Sequence, residues 1–184
     1  ALTHSLEARS LHGNVPLWQE PAIESFLQVA FKFITVNLHL ASAFDVAMAA
    51  GSAAAAWQLM ESLRDSTLRP CLLDSASATR FRRMDFNIRD LALLAAAFAK
   101  TDVSSTDLVS VFDDAVISGL ADVPGRDLCR FLWAAAHVSG WETAPFATAL
   151  AGEVVRRKPN TFGPQDLCTL AQSLPKLGHC EYRS

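Results

Sequence analysis

Three stretches of the chain, Phe86-Asn-Ile-Arg-Asp-Leu91, Val123-Pro-Gly-Arg-Asp-Leu128 and Phe162-Gly-Pro-Gln-Asp-Leu167, share one frame. It runs apolar residue, two variable positions, Arg or Gln, then Asp-Leu. The acids Asp90, Asp127 and Asp166 stand 37 and 39 residues apart. The likeness continues beyond the frame. Ala92, Cys129 and Cys168 are small, Leu94, Phe131 and Leu170 are large and apolar, and Lys100, His137 and Lys176 carry or can acquire positive charge. The second halves align as well, setting Val103 against Trp141, Leu108 against Phe146 and Phe112 against Leu150. Apolar residues recur at helical spacing in both halves, so each unit reads as two helices. A period of this length built from two helices predicts an all-α protein, an α-solenoid of antiparallel helix hairpins.

Local signals place the elements. The spacing predicts helices near 88–101 and 105–118, the second with Ser104 as N-cap and Gly119 as its stop. Pro124 and Gly125 open the next unit, Gly140 closes its first helix and Pro145 opens its second. The third unit is cut short near Gly178, with Pro175 inside its first helix. Residues 86–184 thus hold two and a half repeats. Leu91, Leu94, Phe98, Leu128, Phe131, Leu167 and Leu170 are expected to be buried. Leu170, Leu174 and Leu177 are expected to need a further cover. Upstream, 1–21 reads as an irregular lead-in and 22–85 as a diverged helical pair plus a connector. The pair is 22–40 and 43–64, with Arg69-Pro70 ending it. Residues 71–85 read as a connector or weak helix, whose Arg80, Arg82 and Arg83 are either solvated or in contact with a phosphate.

Composition agrees with a helical chain and excludes several classes. Thirty of 184 residues are Ala and one is Tyr, which disfavours a β-sandwich. Hydrophobic residues make up 51%, too many for a mostly disordered chain. A net charge of −3 excludes nucleic-acid binding by bulk charge. The longest uncharged runs, 33–44 and 46–60, are separated by Asp45, and each is shorter than the roughly 20 residues of a membrane span. Cys71, Cys129, Cys168 and Cys180 form no C-x-x-C pair, so core packing in a reducing compartment is the expectation. No phosphate-loop, dinucleotide, zinc-protease or nucleophile-elbow motif occurs. Asp113-Asp114 lacks a His partner and reads as a solvated helix face. The sequence therefore predicts no enzyme activity, cofactor, metal or small-molecule substrate.

The repeat also defines an outer face. On a helix turning about 100° per residue, Leu after each Asp and the large apolar residue three further on share the inner stripe. The opposite stripe carries Arg89, Leu93, Ala96 and Lys100, then Arg126, Arg130, Trp133 and His137, then Gln165, Thr169, Gln172 and Lys176. Stacked first helices would align these as a polar, partly cationic strip with one aromatic. Such a strip can hold a phosphate backbone and stack a base on Trp133, or grip a protein. It can also be a plain solvated face with Trp133 packed against the neighbouring unit.

Two of the first helices, Arg126-Asp-Leu-Cys-Arg-Phe-Leu-Trp-Ala-Ala-Ala136 and Leu91-Ala-Leu-Leu-Ala-Ala-Ala-Phe-Ala-Lys100, carry a family likeness. Over residues 86–178 the repeat resembles the organellar helical-hairpin repeats of the heptatricopeptide and octotricopeptide types, which often accompany a RAP domain. That resemblance implies a mitochondrial location, or alternatively a plastid one. It implies a non-catalytic helical-repeat subunit of an RNA-containing assembly such as a ribosome, binding RNA (rRNA included) and neighbouring proteins. The alternative is a protein-only scaffold or accessory subunit of a mitochondrial or plastid membrane complex. Residues 86–184 hold nine Lys and Arg against eleven Asp and Glu, a balance that leaves room for protein partners.

Overall fold

The computed structural model describes residues 21–178, which are all-α and contain no strand. Of the lead-in expected at 1–21, residues 1–20 lie outside the described residues, and Pro21 opens the first helix. Eight α-helices follow among the described residues: α1 Pro21–Asn37, α2 Ala43–Leu59, α3 Arg69–Phe81, α4 Ile88–Thr101, α5 Thr106–Gly119, α6 Gly125–Ala135, α7 Pro145–Arg156 and α8 Pro164–Ser173. They pack in two rows. In one row α2, α4, α6 and α8 lie side by side; in the other α1, α3, α5 and α7 do. Contacts between α2 and α3, α4 and α5, and α6 and α7 join the rows.

An Asp is the third residue of all four helices in the first row: Asp45, Asp90, Asp127 and Asp166. There the carboxylate faces the free N–H groups and the positive end of the helix dipole. The Oδ2 of Asp45 accepts from the Ser42 backbone N–H at 3.3 Å, and the Oδ2 of Asp166 does the same for Gly163. The sequence frame revealed only three of these acids. Asp45 escaped because it precedes Val46 rather than Leu and stands 45 residues before Asp90. The excess over 37 is eight residues, the length of the 3₁₀ turn Glu61–Leu63 and the π-helix Arg64–Leu68 together.

This placement corrects the reading of 22–85. The partner of α2 is α3, a 13-residue helix where a connector or weak helix was expected. Pro70 sits in the first turn of α3 and opens that helix rather than ending α2. Gly51 does not interrupt α2, and α1 packs against α3. Likewise the α5 N-cap is Ser105 and not Ser104, and α8 stops at Ser173, before Pro175.

Small residues let the rows close. Ala47, Ala50, Ala53 and Ala54 of α2 are fully buried, as are Ala92 and Ala95 of α4, so these two backbones approach closely. Larger side chains fill the space between the rows. Phe112 sits edge-on to Phe131, Trp141 and Phe146 at 5.2–5.6 Å between ring centroids. Trp141 lies in the α6–α7 connection, just after Gly140, whose φ of +87° suits a residue without a Cβ. Its indole Nε1 is buried without a hydrogen-bond partner. Of the residues expected in the core, Leu91, Leu94, Phe98, Leu128, Phe131 and Leu170 are buried. Leu167 is not, at 41% exposed, because among the described residues α8 has an apolar neighbour on one side only. Leu170 is covered already by the packing of α8 on α6, and Leu174 and Leu177 are half-buried against the core.

Polar clips tie successive units together. Asp113 Oδ1 accepts from the Phe146 N–H at 2.8 Å and so caps α7 from α5. Asp102, left-handed at φ 50°, accepts from the Ser139 N–H at 2.9 Å. Arg157 donates to the carbonyls of Leu120, Ala121 and Val123 and to Glu153. The expected basic cluster is used internally. Arg80 pairs with Asp107, Arg83 with Asp114, and Arg82 with Asp85 and the Ala41 carbonyl. Asp113 is thus a structural cap, whereas Asp114 lies on a solvated face, as expected, and pairs there with Arg83.

Candidate functional site

In α2, α4 and α6 the residues one, four and eight positions after each Asp are buried, which leaves the opposite stripe facing out. Arg89 and Lys100 are exposed on α4, Arg126 on α6, and Gln165 and Lys176 on α8 and the turn after it. Arg130, Trp133 and His137 are half-buried. These residues do not converge equally. Arg126, Arg130 and Trp133 of α6 line one wall of a groove, and Gln165 and Thr169 of α8 line the other, with Cys129 and Asp166 between them. Arg89 and Lys100 lie outside this groove, on the neighbouring helix. Further along the row, on α2, the matching positions are Phe44 and Met48, so the strip turns apolar there.

Several groups in and beside the groove have defined partners. Arg130 Nη1 donates to Asp127 Oδ1 at 2.7 Å, a bridge within one turn of α6. The Trp133 ring rests on the His137 ring, centroids 4.8 Å apart. His137 Nδ1 lies 2.8 Å from the Trp133 carbonyl, which can only accept, so Nδ1 carries the proton. Nε2 is then free to accept from Lys176 Nζ at 2.8 Å. Trp133, His137 and Lys176 therefore form a chain linking α6 to the end of α8. Burial, then the Asp166 carboxylate, push the Cys129 thiol up to about 12, so it stays protonated and a poor nucleophile. Burial also raises Cys71.

The groove presents groups of binding chemistry. Arg126 supplies an exposed cation, Gln165 and Thr169 supply neutral hydrogen-bonding groups, and Trp133 supplies an aromatic surface. No family model, curated protein or solved structure matches the chain. Among the described residues no three His, Cys, Asp or Glu side chains gather as a metal site, and no helix is long and apolar enough to cross a membrane.

Two features, one of the site and one outside it, were missed in the sequence. One is that two acids of the repeat frame offset the arginines of the groove: Asp166 lines it and Asp127 pairs with Arg130. The other is Glu153, buried on α7 and held by Arg156 and Arg157. Hydrogen bonds from Arg156 first, and then from Arg157, hold its carboxyl at about 2 against the opposing effect of burial. The signal was present: Glu153 lies three residues after Leu150 on the apolar face of α7.

Proposed function

We propose that the chain is an α-solenoid and serves as a non-catalytic helical-repeat subunit of a mitochondrial RNA-containing assembly, such as a ribosome. The observation that carries this reading is the groove where Arg126, Arg130 and Trp133 meet Gln165 and Thr169. An exposed guanidinium next to an aromatic ring suits a single-stranded backbone with an unstacked base. The row packing of α1 to α8 supports the solenoid, and the resemblance of residues 86–178 supports the organellar location. A specific observation also favours a protein-only scaffold. Arg130 is spent on Asp127, and Asp166 lies in the same groove, so its net charge is small.

The experiment replaces Arg126 and Arg130 with Glu. Retention of single-stranded RNA by the purified chain, and incorporation into its native complex, are measured at low and high salt. RNA binding that weakens with salt and is lost in the variant is expected. Lost incorporation with no RNA binding in the parent chain favours the protein-only scaffold. If neither property changes while helix content stays intact, the groove is not the binding face.

A further inference from the structure

Among the described residues, α2 has a row neighbour only on its α4 side, and α7 only on its α5 side. Among the described residues the first helix, α1, belongs to one row and the last, α8, to the other. Both ends are apolar where they are open. On α1, Phe26, Val29, Phe33 and Val36, with Leu40 just beyond, are 65–75% exposed. Their spacing of three and four residues sets them on one face, opposite Phe31, which is buried. Met48 extends the patch across a groove between α1 and α2, and Phe44 stands exposed one turn before it.

The other end shows the same thing by register. In α2, α4 and α6 the residues one, two and five positions after the Asp are all buried. Their counterparts in α8, Leu167, Cys168 and Ala171, are all exposed. These positions are covered wherever a following helix pair exists.

We propose that the chain self-associates head to tail, with α8 of one copy in the groove between α1 and α2 of the next. The second copy's α1 then packs beside α7 and α8 of the first. Both rows continue across the junction, and α8 gains the pairing partner that α6 has in α7. A hairpin-like pairing also brings Lys176, after α8, to Glu24 in the first turn of α1. The α1 patch with Phe44 and Met48 amounts to roughly 700–800 Å², about one partner's share of a standard interface and larger than most monomers expose. A membrane surface fits less well: Lys32 is the single lysine on α1, which leaves no cationic rim for anionic lipid. Such an interface is heterologous, so it propagates into rings or filaments.

Light scattering on the full chain is expected to give a mass above 19.9 kDa that rises with protein concentration. Phe33→Glu or Val36→Glu at one end, and Leu167→Glu at the other, should each return the mass to the monomer. All three positions are exposed, and circular dichroism checks that helix content is kept. An equimolar mixture of Phe33→Glu and Leu167→Glu should form a two-chain complex and nothing larger, because one intact end remains on each. A parent chain that stays monomeric, a mixture that stays monomeric, or a Leu167→Glu chain that still dimerises would each overturn the proposal. So would a monomeric chain that co-sediments with phosphatidylserine vesicles through Phe33.

Discussion

Replacing Arg157 with Met tests the clamp between α7 and the turn that links α5 to α6. The Arg157 side chain is 14% exposed and donates to Glu153 at 2.6 Å and to the carbonyls of Val123, Leu120 and Ala121 at 2.7–3.1 Å. Methionine keeps most of the packing volume and removes every donor. A hydrogen bond involving a charged group contributes about 1.5–3 kcal/mol, and breaking a buried pair costs about 3–5 kcal/mol. Glu153 keeps Arg156, and water reaches part of the carbonyl rim, so the lower end applies and the expected loss is about 3 kcal/mol. For a chain of this size that lowers Tm by roughly 6–12 °C. Urea unfolding followed by circular dichroism should show a lower midpoint with an unchanged slope. Arg156 is the control. It is the stronger holder of the Glu153 charge, but its side chain is 66% exposed, so solvent replaces it and Arg156→Met should lose much less. Equal losses for the two variants, or a loss under about 1 kcal/mol for Arg157→Met, would refute the clamp.

The same carboxylate gives a pH signature. Its folded value of about 2 lies below the ordinary 4.5, so its stabilisation is full above 4.5 and fades as pH falls toward 2. Urea midpoints measured across that window should fall less steeply for Glu153→Gln than for the parent chain. Trp141→Phe should unfold within about 1.5 kcal/mol of the parent, since it removes a buried donor that has no partner, whereas Trp141→Ala should lose about 3–5 kcal/mol. In the same assay Leu128→Ala should lose roughly 2–5 kcal/mol, and the equivalent Leu167→Ala less than half as much, because Leu167 is already open to solvent.

The fold was legible where one physical requirement repeats at a steady interval. Asp90, Asp127 and Asp166 recur because each first-row helix needs an acid in its first turn, and the apolar residues that follow recur because each must meet the row behind it. Asp45 meets the same need, but the residues at 61–68 shifted its interval and hid it. The outer strip was legible from helical angle alone, and Arg126, Arg130 and Trp133 do share a groove. Partnerships were not legible. The bridge from Arg130 to Asp127 lies within one turn, yet the pairs Lys176–His137, Asp113–Phe146 and Arg157–Val123 join residues 33–39 apart. Such pairs depend on how neighbouring units are set against each other, which no single unit encodes. Leu167 was misjudged for a related reason: its side chain matches its repeats, but its neighbours do not.

Packing confined mostly to near neighbours along each row also governs how the molecule comes apart. The major helix contacts run between helices one or two places apart in the chain. Opening of α8 therefore releases its contacts with α6 and leaves the packing of α2 on α4 in place. Amide hydrogen exchange in the monomer should consequently be graded by distance from an end, fastest in α1 and α8 and slowest in α4 and α6, rather than uniform. For a chain built this way, stability is a profile along the molecule rather than one number, and a substitution's cost depends on which helix carries it.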